Sequence, residues 1–182
     1  MSDVLTVPNV LSMLRIALVP AVVVMLARGE FGTALTLCFI AGVTDAFDGF
    51  IARRFNQQSR LGSFLDPAAD KFLVLSSVIV LAAVGRLPWW LAVTLVTRDV
   101  VIVSGAIAFW LRTGRLEMEP SLPSKISTAV QIVLILVVIA HGAGVAGLRR
   151  ALPPLMAVSF LAAVVSGVHY VVVWARKAAS MS

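Results

Sequence analysis

Six apolar runs, each near the length of about 20 residues that carries a helix across the hydrocarbon of a bilayer, organise the chain. They extend roughly over Val7–Ala27, Phe31–Arg53, Phe64–Val84, Pro88–Leu111, Ser124–His141 and Pro153–Trp174. Turn and breaker residues separate them: Arg28-Gly29-Glu30, Gly85-Arg86-Leu87-Pro88, Pro120 with Pro123, and Pro153-Pro154. The connections are short, so consecutive helices are expected to be antiparallel. The pattern predicts an all-α membrane bundle of six transmembrane helices, forming one domain over residues 1–182. The first run is too long for the apolar core of a signal peptide, and no Ala-x-Ala-like site follows it, so it reads as the first span. Nothing ahead of it looks like an Arg-rich transit peptide, which favours a bacterial cell membrane over an organelle.

Composition agrees. Of the 182 residues, 60% are hydrophobic and 13% charged, against about 45–50% apolar in a soluble domain. The net charge of +6 would suggest nucleic acid in a soluble protein. Here the bases fall between apolar runs, so membrane lipid headgroups and topology explain them and no nucleic acid is expected. Arg53, Arg54, Arg60, Arg112, Arg115, Lys125, Arg176 and Lys177 would share one side with both termini, and Arg28, Arg86, Arg149 and Arg150 the other. The positive-inside rule then makes both termini cytoplasmic in a multi-pass inner (cytoplasmic) membrane protein. Trp89 and Trp90 would sit in the aromatic belt of the outer face. The single Cys38 excludes an intrachain disulfide, and the isolated His141 and His169 read as packing or helix-end residues.

One stretch breaks the pattern: DAFDGFIARRFNQQSRLGSFLDPAAD, from Asp45 to Asp70. Helical spacing puts Asp45, Asp48, Gly49, Ala52 and Arg53 on one stripe of the second helix, and Gly62, Asp66 and Asp70 on one stripe of the third. An ionised acid at helix-centre depth costs about 2.5–3.5 kcal/mol on insertion scales. The acids therefore either stay protonated, as in a proton relay, or are neutralised by cations. Oxygen-only ligands suit Mg²⁺ or Mn²⁺, and four carboxylates can hold two such ions about 3.5–4 Å apart, the arrangement used for phosphoryl displacement. The small Gly49, Ala52 and Gly62 leave room for a bulky ligand, and Arg53 and Arg60 add charge where a phosphate could sit. A proton relay needs neither. The site should lie near the cytoplasmic face.

Asp45-x2-Asp48-Gly49-x2-Ala52-Arg53-x8-Gly62-x3-Asp66-x3-Asp70 matches without a gap the signature of the CDP-alcohol phosphatidyltransferases, which the chain resembles over nearly its whole length and least in its last helix. Pro8-Asn9-Val10-Leu11-Ser12-Met13-Leu14-Arg15 is similar to the family's opening helix. The resemblance implies a transferase of phospholipid synthesis that joins CDP-diacylglycerol to an alcohol acceptor and releases CMP. It implies that Asp45, Asp48, Asp66 and Asp70 hold two divalent cations and that Asp70 is the general base. Asp48, Gly49, Ala52, Arg53 and Gly62 would bind the CDP moiety. Arg98-Asp99-Val100, Ser104-Gly105 and Ser124-Lys125-Ile126-Ser127-Thr128-Ala129-Val130-Gln131 look most like the CMP-forming cardiolipin synthase branch, whose acceptor is phosphatidylglycerol. Ser127 departs from it, since that branch tends to carry Asn there. The alternative acceptor is glycerol 3-phosphate, as in phosphatidylglycerophosphate synthases, although the Arg-Glu and Gly-Lys-x-Lys-Thr stretches of that branch are missing. Arg98, Lys125 and Arg60 are the candidates for holding an acceptor phosphate; on the residues alone, Arg98–Asp99 also reads as a local ion pair and Lys125 as an interface anchor. The family also allows a homodimer. An ion or proton transporter is the competing class, opposed by acids that cluster at one end.

Overall fold

The computed structural model describes the backbone of residues 7–55, 62–113 and 121–179, and the side chains of residues 17–44, 71–105 and 121–174. Six long helices carry the chain: α1 (Val7–Ala27), α2 (Phe31–Phe55), α3 (Gly62–Ala83), α4 (Trp89–Thr113), α5 (Leu122–Gly142) and α6 (Leu152–Ala179), with a short 3-10 turn at Leu148–Arg150. No strand occurs among the described residues. Each apolar run is thus one helix, with bounds within a few residues of those the breakers predict. Pro123 falls inside the first turn of α5 rather than ahead of it, because a first-turn N–H has no helical acceptor to lose. Pro20 lies within α1, where apolar packing carries the helix past a missing donor.

Glycines end two of the helices. Gly29 (φ 75°) follows α1 and Gly85 (φ 71°) follows α3, both in the left-handed region that a side chain disfavours. The chain turns back there through Glu30 N–H to Met25 O (2.9 Å) and Arg86 N–H to Leu81 O (2.8 Å). Both turns, with the end of α5, lie at one end of the bundle. The Arg86 guanidinium stacks 4.8 Å above the Phe31 ring, and a Cβ placed on Gly142 would come within 2.6 Å of that ring.

Helix α1 packs against α2 and α3, α6 against α4 and α5, and α5 also against α2 and α3. The buried apolar core draws on all six helices: Leu26, Ala34, Leu81, Leu91, Ile139 and Ala163 are all in it. Among the described side chains it fills the same end as the glycine turns. The outside of the bundle is apolar as well. Phe39 is 71% exposed and Phe72 65%, and apolar surface on this scale marks contact with lipid or another apolar partner. Trp89 and Trp90 are exposed at the start of α4, with Trp90 edge-on to Phe160 at 5.5 Å. Helices α5 and α6 have described segments apolar and long enough to cross a membrane, at Leu122–Gly142 and, with the turn before α6, Leu148–Trp174.

Candidate functional site

The signature falls on helix, as its spacing requires. Asp45, Asp48, Gly49, Ala52 and Arg53 lie in the second half of α2, and Gly62, Asp66 and Asp70 in the first half of α3. Backbone periodicity then gives each set one stripe. The side chains of all eight lie outside the described ones, as does Arg60 in the connection between the helices. Among the described residues no three His, Cys, Asp or Glu side chains come together. The aspartates that the sequence offers for a hard cation, a set rich in oxygen and free of His and Cys, lie outside those described side chains.

Beside Asp70, the described structure begins with a charge network. Lys71 Nζ donates to Asp99 Oδ1 at 3.2 Å, joining α3 to α4. Arg98 Nη1 donates to the same oxygen at 2.6 Å. The rest of the guanidinium is also taken up. Nε and Nη2 donate to Ser166 Oγ on α6 (3.1 and 2.9 Å). Nη2 also donates to the carbonyl and hydroxyl oxygens of Ser124 on α5 (3.0 and 2.8 Å), and Nη1 to Thr128 Oγ1 at 3.3 Å. Arg98 is 4% exposed. It ties α4, α5 and α6 together, and Asp99 carries the tie to α3. The ion-pair reading of Arg98–Asp99 is the geometry found, and an acceptor phosphate at Arg98 would have to displace Ser124 or Ser166.

Lys125 is exposed in the first turn of α5, where a long cation extends along the helix end. On the inner face of α5 the polar residues continue. Ser127 and Gln131 are each 1% exposed. Ser127 Oγ and both amide atoms of Gln131 have no hydrogen-bond partner among the described residues. Such groups cost about 1–3 kcal/mol each. Sequence reasoning gave no role to Lys71, Ser166 or Gln131. Gln131 carried a signal: it is the one polar residue between Ala129 and Ala140 in α5. Lys71 and Ser166 acquire meaning only through tertiary contact.

The family model for CDP-alcohol phosphatidyltransferases matches residues 5–174. The chain is 43% identical over 106 residues to a "Cardiolipin synthase (CMP-forming)" of Streptomyces coelicolor, covering 55% of this chain and 49% of that one. It is 36% identical over 146 residues to the human protein of the same name, covering 71% of this chain and 48% of that one. A "Probable phosphatidylglycerophosphate synthase" of Mycobacterium tuberculosis is 34% identical over 169 residues, which covers 90% of this chain and 78% of that one. The chain spans about half the length of the cardiolipin synthases it matches.

Proposed function

The chain belongs to the CDP-alcohol phosphatidyltransferase family, and we propose that it transfers the phosphatidyl group of CDP-diacylglycerol to phosphatidylglycerol, giving cardiolipin and CMP. The observation that carries this reading is the ungapped signature from Asp45 to Asp70, set on two helices with each half on one stripe. The names of the relatives and the residues around Arg98 and Ser124 support phosphatidylglycerol as the acceptor.

Asp45, Asp48, Asp66 and Asp70 would hold two divalent cations, Mg²⁺ or Mn²⁺. Bound there, the cations would neutralise the carboxylates and the pyrophosphate and polarise the scissile P–O bond. Asp48, Gly49, Ala52, Arg53 and Gly62 receive the CDP moiety, the small residues leaving space for the nucleotide. The acceptor oxygen attacks the phosphorus bonded to the diacylglycerol, and the bond from that phosphorus to CMP breaks. Asp70 takes the hydroxyl proton. Lys125 and Arg60 offer charge to the acceptor phosphate. Arg98, also a candidate for that contact, acts first as the brace that fixes α4, α5 and α6 around the site.

All six helices span the inner membrane in this reading, with both termini and the aspartates on the cytoplasmic side. Lengths of 21–28 residues support it, as does the exposed apolar surface. Pairing of two copies rests on the family alone. The relative matched along 90% of this chain favours a second reading, with glycerol 3-phosphate as acceptor. An ion transporter is disfavoured by the apolar core that fills the end of the bundle away from the aspartates.

The deciding experiment offers CDP-diacylglycerol with phosphatidylglycerol, glycerol 3-phosphate, inositol phosphate or serine, separately, to purified protein in detergent. Product mass spectrometry should show cardiolipin with phosphatidylglycerol. Phosphatidylglycerophosphate instead would establish the second reading. Cation movement across liposomes with no CMP release would overturn both.

A further inference from the structure

We propose that Ser127 and Gln131 recognise the non-reacting hydroxyl of the acceptor's glycerol unit; this rests on the phosphatidyl-transfer reading. Ser124, Ser127, Thr128 and Gln131 share the inner face of α5. Ser124 and Thr128 are engaged by Arg98. Ser127 and Gln131 are also buried, yet their polar atoms have no hydrogen-bond partner among the described residues. A buried amide with neither end satisfied by a described residue leaves both ends open to a ligand.

The helix register places the pair level with the aspartates. Helices α2 and α5 run antiparallel, with Phe31 beside Gly142. Asp45 lies about 21 Å along α2 from Phe31; Gln131 and Ser127 lie about 16 and 22 Å along α5 from Gly142, at 1.5 Å per residue. Asp45 therefore falls between their two levels. From the other side, Lys71 reaches Asp99 and Arg98 reaches Ser124, which links the α3 residue after Asp70, through α4, to the first turn of α5.

The donor pattern selects the ligand. A carboxylate or phosphate oxygen only accepts, so it would satisfy Gln131 Nε2 and leave Oε1 empty. An alcohol hydroxyl both donates and accepts, so it can serve the amide and the Ser127 hydroxyl together. Phosphatidylglycerol and glycerol 3-phosphate share a glycerol unit with a secondary hydroxyl beside the primary hydroxyl that reacts. Asp70 serves the primary one. The secondary hydroxyl is the group left for Ser127 and Gln131.

The test compares each acceptor with its analogue lacking the secondary hydroxyl: phosphatidyl-1,3-propanediol against phosphatidylglycerol, and 3-hydroxypropyl phosphate against glycerol 3-phosphate. CMP release by the full chain gives kcat/KM. The wild type should prefer the natural acceptor by about 10-fold, the worth of one or two hydrogen bonds. Gln131→Met should abolish that preference and leave the KM for CDP-diacylglycerol unchanged. Ser127→Ala should reduce the preference, and it serves as the test if Gln131→Met does not fold. A wild type that turns over without preference, or variants that keep the full preference, would overturn this inference alone. A wild type that releases no CMP with either acceptor would overturn the transfer reading and this inference with it.

Discussion

Lys71 Nζ and Asp99 Oδ1 stand 3.2 Å apart, so the residue that follows Asp70 is tied directly to α4. The same oxygen lies 2.6 Å from Arg98 Nη1. The two cations differ in setting: the Lys71 side chain is 43% exposed and that of Arg98 2%. Their energetic weights should differ accordingly. Asp99→Ala leaves a buried guanidinium without its counter-charge and should destabilise the protein by about 3–5 kcal/mol. Lys71→Met removes a half-exposed partner and should cost about 0–1 kcal/mol. Thermal unfolding of both variants in detergent checks the order; equal losses would mean that Lys71, not Arg98, is the main partner of Asp99.

Asp70→Asn should abolish CMP release while largely retaining nucleotide binding, because the amide keeps the shape but cannot take the acceptor proton. Turnover assays with titration of a CDP ligand read the two effects separately. Undiminished turnover would remove Asp70 from the role of base.

Removing divalent cations should stop the reaction. CMP release from CDP-diacylglycerol should fall to background with excess chelator and return when Mn²⁺ or Mg²⁺ is restored. Activity that persists after exhaustive chelation would rule out the cation-holding role of the four aspartates.

Gly142→Ala should destabilise the bundle by about 1–3 kcal/mol, a cost typical of overpacking. The new methyl would meet the ring of Phe31, which is buried and covered by Arg86. Chemical denaturation in mixed micelles measures it. A paired Phe31→Leu change should recover part of the loss, and no recovery would mean that the clash lies elsewhere.

The helices were legible because each is a long apolar run, and Gly29 and Gly85 mark the ends of two of them in the sequence itself. The aspartate stripes were legible for the converse reason: acids are so disfavoured in such helices that their spacing stands out. The brace around Arg98 was only half visible. Its bond to Asp99 joins adjacent residues, but Ser166 lies 68 positions away, and serine is unremarkable in an apolar helix. Ser127 and Gln131 illustrate the same limit. That they are polar is plain in the sequence, whereas that they lack partners among the described residues emerges only once the helices are packed.

The apolar packing of Leu26, Phe31, Leu81 and Ile139 at the end away from Asp45 and Asp70 has a directional consequence. Headgroups cannot thread through it, so in the proposed transfer donor, acceptor and product would all use the same door. New lipid would accumulate in one leaflet, and evening it out across the bilayer would fall to separate machinery.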